Sequence, residues 1–305
     1  MRGPALFEGA RVALIAPSSP ISENLEEKLA RAISVAEHLK LEPVLFPTAM
    51  ASHGYLAGTD ELRANDINSA FADKSIDGIW CLRGGYGAHR LLPLLDYAMI
   101  RENAKFFGGY SDITAFHIAF RQQCGFGTYH MAMPTSDKLI EGAPYTLEYA
   151  KAMLFGEEIE YKNPDGVTMH TLVSGKAEGE LCGGNLSLVA ASLGTPWEID
   201  TRGKILFIED VDEQPYSIDG MLTQLRNAGK FRDCAGILLG QYTDCAAKKP
   251  ESSLALDTVF EELIKPAGKP CITNLMCGHC SPTMSLPLGA RFRMDADNST
   301  IEEIV

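Results

Sequence analysis

A serine behind two glycines, a carboxylate at the end of an apolar run and a histidine in a glycine-rich turn are the side chains of nucleophilic acyl transfer. The chain offers all three. Lys105-Phe-Phe-Gly-Gly-Tyr-Ser-Asp-Ile-Thr-Ala-Phe-His117 reads as a short buried strand, a turn forced by glycine and a helix that starts at Ser111 and Asp112. A serine at such a junction is exposed, and the helix N-terminus presents backbone N–H groups to whatever it attacks. Ser-Asp is equally the residue pair of a plain helix N-cap, so the partners of Ser111 decide between the two roles.

A nucleophilic serine needs a base and an acid that orients it. Of the seven histidines, His38 and His117 fall on predicted helices, and His117 lies roughly 240° around the helix from Ser111. His53, His89 and His170 read as loop or surface residues. His130, at the end of a predicted strand, and His279, in Cys277-Gly-His-Cys280, are the two candidates. Lys204-Ile-Leu-Phe-Ile-Glu-Asp210 reads as a buried strand ending in acid, and a buried carboxylate requires a partner. Glu209 is therefore the candidate acid, with an ordinary salt bridge or a surface acid at the start of a loop as the alternatives.

Arg83-Gly-Gly-Tyr-Gly87 is an anion-binding candidate, because consecutive glycines let N–H groups converge on one oxygen. That oxygen could belong to a phosphate or to a tetrahedral intermediate. The turn lacks both the GxGxxG spacing and the Lys-Ser/Thr ending of nucleotide loops. Cys277-Gly-His-Cys280 has thioredoxin-like spacing, but Pro282 and Pro287 do not suit the helix such a centre needs. Zinc would require two further ligands at suitable spacing, and none is evident. No metal and no cofactor is expected.

The elements that must position these residues alternate. Apolar runs at Arg11 to Ala16, Pro43 to Phe46, Asp77 to Arg83, Lys105 to Gly109 and Gly127 to Met133 predict strands. Between them, helices are predicted over Asn24 to Lys40, Thr59 to Ala72, Ala88 to Leu95 and from Ser111 onward. This pattern is that of a doubly wound parallel α/β sheet, whose ligands bind beyond the carboxyl ends of the strands. Both glycine turns fall there. After a helix at Thr146 to Phe155 the chain turns polar, with a turn signal at Asn163-Pro-Asp-Gly166. Two domains are expected: residues 1–160, carrying the serine, and residues 161–305. The second mixes strands at Lys204 to Ile208 and Gly236 to Gln241 with helices at Ile218 to Ala228 and Leu256 to Ile264, and ends in a β-like tail over Leu286 to Val305.

Composition narrows the function classes. At 305 residues with 46% hydrophobic content there is ample material for full cores. A net charge of −13 argues against nucleic acid and against an anionic membrane surface as partners. No apolar run reaches membrane-spanning or signal-peptide length, which points to the cytoplasm. The eight scattered cysteines read as small buried hydrophobes.

Taken together, five motifs in order resemble the LD-carboxypeptidase family of serine peptidases, whose relatives include the microcin C self-immunity peptidases. They are Arg83-Gly-Gly-Tyr-Gly87 with Leu91-Leu-Pro-Leu-Leu-Asp96, then Gly108-Gly-Tyr-Ser-Asp-Ile-Thr114, then Gly183-Gly-Asn-Leu-Ser187. Phe207-Ile-Glu-Asp-Val-Asp-Glu-Gln-Pro-Tyr216 with Ile218-Asp219 follows, and the last is Gly278-His279 with Leu286-Pro-Leu-Gly289. The resemblance places the family's Ser-Glu-His triad on Ser111, Glu209 and His279. It implies an N-terminal domain similar to class I glutamine amidotransferases, a smaller β-rich α+β C-terminal domain, an active site between the two and a homodimer. The oxyanion would be held by the N–H groups of Gly85 and Asp112, and the substrate by Arg83, Gly84 and Tyr86. The implied reaction releases terminal D-alanine from a murein tetrapeptide during cytosolic peptidoglycan recycling. The immunity relatives instead hydrolyse peptidyl or aminoacyl adenylates, and a non-catalytic ligand-binding protein on this scaffold is a third reading. Three departures bear on pocket shape: Cys280 after His279, Gly220 after Asp219, and His130-Met-Ala-Met where relatives have His-Gly-Pro.

Overall fold

The computed structural model describes residues 2–136, 139 and 144–304. They form two compact units, one of Arg2–Ile159 with Ser285–Leu288, the other of Glu160–Met284 with residues 289–304. Each unit is built on its own mixed sheet.

The first unit opens with β1 (Arg11–Ile15), α1 (Leu25–His38), β2 (Glu42–Leu45), α2 (Asp60–Ala72) and β3 (Gly78–Cys81). It continues with α3 (Tyr97–Glu102), β4 (Phe106–Gly109), α4 (Thr114–Ala119), β5 (Thr128–His130) and α5 (Pro144–Phe155). Strands β1 to β5 are parallel and stand in the order β5-β4-β3-β1-β2. That is the doubly wound arrangement with its switch point between β1 and β3. Val12 to Ile15 are fully buried, as expected of a strand covered on both faces. Thr59 caps α2 by accepting the Leu62 N–H, which explains where that helix begins. Phe71, Phe107, Phe116 and Phe120 interlock as edge-to-face and stacked rings and fill one side of the sheet. Between Ala88 and Leu95, where one helix is predicted, the chain makes two short 3-10 turns, with Pro93 in the second.

The second unit holds β6 (His170–Val173), β7 (Lys176–Asn185), α6 (Leu186–Ser192), β8 (Ile205–Val211), α7 (Pro215–Asn227) and α8 (Lys230–Asp233). Then come β9 (Gly236–Thr243), α9 (Leu256–Leu263) and β10 (Cys271–Thr273). Strand β11 (Leu286–Leu288) leaves this unit and pairs antiparallel with β5, as the edge of the first sheet. Strands β12 (Arg291–Asp295) and β13 (Thr300–Ile304) return to give a sheet of order β13-β12-β7-β8-β9-β10-β6. Strands β7 to β10 are parallel, and β6, β12 and β13 join the sheet through antiparallel pairs. The expected β-like tail is thus divided between the two sheets. Pro287 is tolerated in β11 because an edge strand has one side with no partner for an N–H.

Candidate active site

Ser111 lies just past β4, after an extended Tyr110, and its own backbone is left-handed at φ 66°. A non-glycine residue held there costs on the order of 1–3 kcal/mol and persists only where the surroundings impose it. It begins a 3-10 turn that runs into α4, and no side-chain cap serves that turn or the helix. The N-cap alternative therefore finds no hydrogen bond to support it. The arrangement is the sharp strand-to-helix elbow that exposes a nucleophile.

The glycine turn after β3 closes against this elbow. A β-carbon at Gly84 would lie 2.8 Å from the Cβ of Ser111, so only glycine allows the approach. Gly85 has φ +103° and sits against Ser19, in the loop after β1. Ser19 N–H donates to the Gly84 carbonyl at 3.1 Å and its hydroxyl accepts the Tyr86 N–H at 3.1 Å. The Ala88 N–H donates to Oδ2 of Asp112 at 2.8 Å. Neither the Gly85 N–H nor the Asp112 N–H has a hydrogen-bond partner among the described residues. Two donors on adjacent turns beside Ser111 are what an oxyanion requires.

Arg83 is half-buried and gives one Nη to the Pro20 carbonyl at 3.0 Å, while Tyr86 stands 57% exposed, edge-on to Tyr55. Arg63, which the sequence reading passed over, and the side chain of Asp112, read there only as a helix start and an N–H donor, support the turn from beneath. Arg63, fully buried on α2, donates to the carbonyls of Pro17 at 2.7 Å and Gly87 at 3.1 Å, and pairs with Asp60. Its signal was present: positions 63, 67 and 70 form the inward stripe of α2, and a charge on an apolar stripe needs a reason. Asp112, only 2% exposed, is the other. Burial pushes its carboxyl up to about 6, and the facing Ser18 hydroxyl and Gly87 N–H offset part of that, although the Ser18 oxygen makes no hydrogen bond of full geometry.

His117 and His130 are both buried in this unit, with ring centroids 6.4 Å apart. His117 Nε2–H donates to the Gly109 carbonyl at 3.0 Å, and burial holds its pKa down to about 4. His130 packs against Tyr110 and is 1% exposed. Both rings belong to the floor beneath the elbow.

In the second unit the other two candidates meet. His279 Nδ1–H donates to Oε2 of Glu209 at 2.8 Å. Glu209 is fully buried and His279 is 14% exposed at its side chain. This bond fixes the tautomer that leaves Nε2 as the basic nitrogen. Strand β8 continues to Val211 rather than ending at the acids, and Glu209 stands where β9 bulges, between the pairs Ile208–Leu239 and Asp210–Tyr242. The bulge frees the Gln241 N–H to hold the Cys277 carbonyl at 3.0 Å, which anchors the histidine loop beside the strand. Thr283 closes that loop, its hydroxyl accepting the Gly278 N–H at 3.1 Å and donating back to the Gly278 carbonyl. Asp210, its pKa raised by burial, takes Asn185 Nδ2 and both the N–H and hydroxyl of Ser187, which ties the start of α6 to the end of β8. Cys277 and Cys280 are buried thiols outside any disulfide. Among the described residues no group of three or more His, Cys, Asp or Glu side chains is arranged to hold a metal ion.

Residues 12–131 match the LD-carboxypeptidase N-terminal domain and residues 178–294 the LD-carboxypeptidase C-terminal domain. The chain belongs to the LD-carboxypeptidase family. By that membership it is a serine carboxypeptidase in class, on a mixed α/β fold of two sheets. A probable murein peptide carboxypeptidase of Bacillus subtilis is 42% identical over 97% of this chain and 92% of its own length. The structure of a muramoyltetrapeptide carboxypeptidase from Oxalobacter formigenes superposes with a TM-score of 0.81 at 28% identity, covering 96% of this chain and 97% of that one. The microcin C7 self-immunity protein MccF of Escherichia coli is 26% identical over 97% of this chain and 93% of its own length. A solved MccF structure superposes with a TM-score of 0.89 at 24% identity over 100% of this chain and 98% of that one, a likeness of fold alone.

Proposed function

We propose that this LD-carboxypeptidase releases terminal D-alanine from murein tetrapeptides, with Ser111 as nucleophile, His279 as base and Glu209 as its orienting acid. The observation that carries the reading is Ser111 itself: a strained, left-handed serine beside two N–H donors that have no partner among the described residues. A histidine held through Nδ1 by a buried carboxylate is the complement such a serine needs.

In this mechanism His279 Nε2 takes the Ser111 proton as Oγ attacks the scissile carbonyl. Glu209 stabilises the imidazolium that forms. The Gly85 and Asp112 N–H groups hold the oxyanion, and His279 then gives the proton to the amine of the departing D-alanine. Water attacks the acyl-enzyme by the same route in reverse. A carboxypeptidase must also recognise a free carboxylate. Arg83 is assigned that part, since Pro20 occupies only one of its two Nη groups.

The reading places the enzyme in cytosolic peptidoglycan recycling, as a homodimer. No helix among the described residues is long and apolar enough to cross a membrane. The likeness to MccF supports a second reading, hydrolysis of peptidyl or aminoacyl adenylates by the same three residues.

One assay separates the two. Purified protein is offered a murein tetrapeptide and an aminoacyl sulfamoyl adenosine in parallel, with and without EDTA. D-Alanine release that survives EDTA and is absent in Ser111→Ala is the expected result. Turnover of the adenylate alone would transfer the assignment to the second reading. Wild-type turnover in both Ser111→Ala and His279→Ala would overturn both. Light scattering on the same preparation tests the dimer.

A further inference from the structure

The residue after the nucleophile carries more than its N–H. Asp112 sends its carboxylate back across the elbow to the neighbouring glycine turn, where Oδ2 accepts the Ala88 N–H at 2.8 Å. The Gly87 N–H faces the same carboxyl. Arg63 grips that turn from the opposite polarity, through the Gly87 carbonyl at 3.1 Å. Ser19 takes the Gly84 carbonyl and the Tyr86 N–H. The turn's polar groups are thus committed at Gly84, Tyr86, Gly87 and Ala88, and the Gly85 N–H is left over. One residue therefore supplies an unpaired N–H from its backbone and, through its side chain, tethers the turn that supplies the other.

We propose that the Asp112 carboxylate is a positioning residue for the oxyanion site, fixing the Gly85 N–H relative to its own. The proposal rests on Ser111 being the nucleophile. A carboxylate 2% exposed is costly to bury, and helix capping alone would not require it there: the Ala88 to Arg90 turn is a single 3-10 turn that water could satisfy at the surface. What burial adds is a fixed distance. Two donors stabilise a developing oxyanion only if their separation is set before the charge appears. A tether that is rigid, charged and out of solvent sets it.

The Gly85 N–H acts only as charge develops, so loss of the tether should appear in kcat and not in KM. Asp112→Asn keeps the size and one acceptor oxygen, whereas Asp112→Ala removes the tether. The expected order of kcat is Asp, then Asn, then Ala, with Ala down about tenfold or more and approaching the ~100-fold of an outright lost donor. KM should stay within about threefold of wild type. A second measurement isolates ground-state binding: in the Ser111→Ala background, adding Asp112→Ala should leave tetrapeptide affinity by calorimetry unchanged.

Thermal unfolding reports the folded fraction, and if Asp112→Ala does not fold, Asp112→Asn decides. A role confined to stability would lower the unfolding midpoint and leave kcat per folded molecule intact, which overturns the proposal. So would a loss that lies wholly in KM. Wild-type turnover in Ser111→Ala instead removes the reading beneath it, and is told apart because Asp112 need not be altered to see it.

Discussion

A β-carbon on residue 278 would lie 2.4 Å from the Oε2 of Glu209, the same oxygen that holds His279. Gly278 also has φ +121°, a conformation that side chains resist. Its absence of a side chain is therefore part of how the acid is seated. Gly278→Ala should displace the carboxylate and misorient the imidazole next door. We expect kcat to fall by about 100-fold or more, with a lower unfolding midpoint from strain on the order of 1–3 kcal/mol. Full turnover in this variant would show that the Glu209–His279 geometry is not used.

Glu209→Gln tests the tautomer argument directly. The amide offers His279 Nδ1 a donor as readily as an acceptor, so the ring can settle with Nε2 protonated and unable to act as base. A loss of about 10³–10⁴ in kcat is expected, close to that of His279→Ala. The double variant should be no worse than either single one, because the residues act as a unit. Steady-state kinetics on the three proteins decides. Additive losses would mean that the pair does not work together.

His117 gives a prediction in the pH dependence of stability. Its folded pKa of about 4 lies below the unfolded value of 6.5, so its contribution is present above pH 6.5 and lost as pH falls through 4. His117→Gln keeps an N–H donor near the Gly109 carbonyl and does not titrate. The stability advantage of wild type over this variant should therefore shrink by about 3 kcal/mol between pH 7.5 and pH 4. Urea titrations at a series of pH values measure it, and a constant difference would mean that the ring is not held neutral.

The thiols beside the histidine are shielded. Cys277 is fully buried, with its Sγ directed at the Met284 carbonyl, and Cys280 is 8% exposed. Iodoacetamide should leave native activity unchanged for hours and label both only on unfolding. Rapid loss of activity with one label per chain, prevented by substrate, would place Cys280 in the substrate's path.

The parallel core of the first sheet was readable because a strand buried on both faces leaves an unbroken apolar run, as Val12 to Ile15 do. Ser111 and Glu209 were local candidates, at a glycine turn and at an acid closing an apolar run, whereas His279 shared its candidacy with His130 until the family resemblance chose between them. What escaped depends on contacts distant in sequence. Nothing within Cys277-Gly-His-Cys280 shows that a carboxylate lies behind Gly278, and nothing around Asp112 shows that its side chain reaches Ala88. The bulge opposite Glu209 is set by how β9 aligns with β8, a register that neither strand states alone. The short strand Leu286–Leu288 pairs with residues more than a hundred positions earlier, and three residues carry too little pattern to announce that.

That strand has a consequence for how the molecule is made. The first sheet is begun at β1 and closed only by Leu286 to Leu288, which leave the ribosome long after β5. Until they arrive, β5 presents an open edge, the kind of surface on which unfinished chains stick to one another. We expect stalled nascent chains ending at residue 159 to be digested by protease and the full chain to resist. If the shorter chain resists equally, β11 is a passenger. Otherwise the first sheet is unfinished until Leu286 to Leu288 have been made.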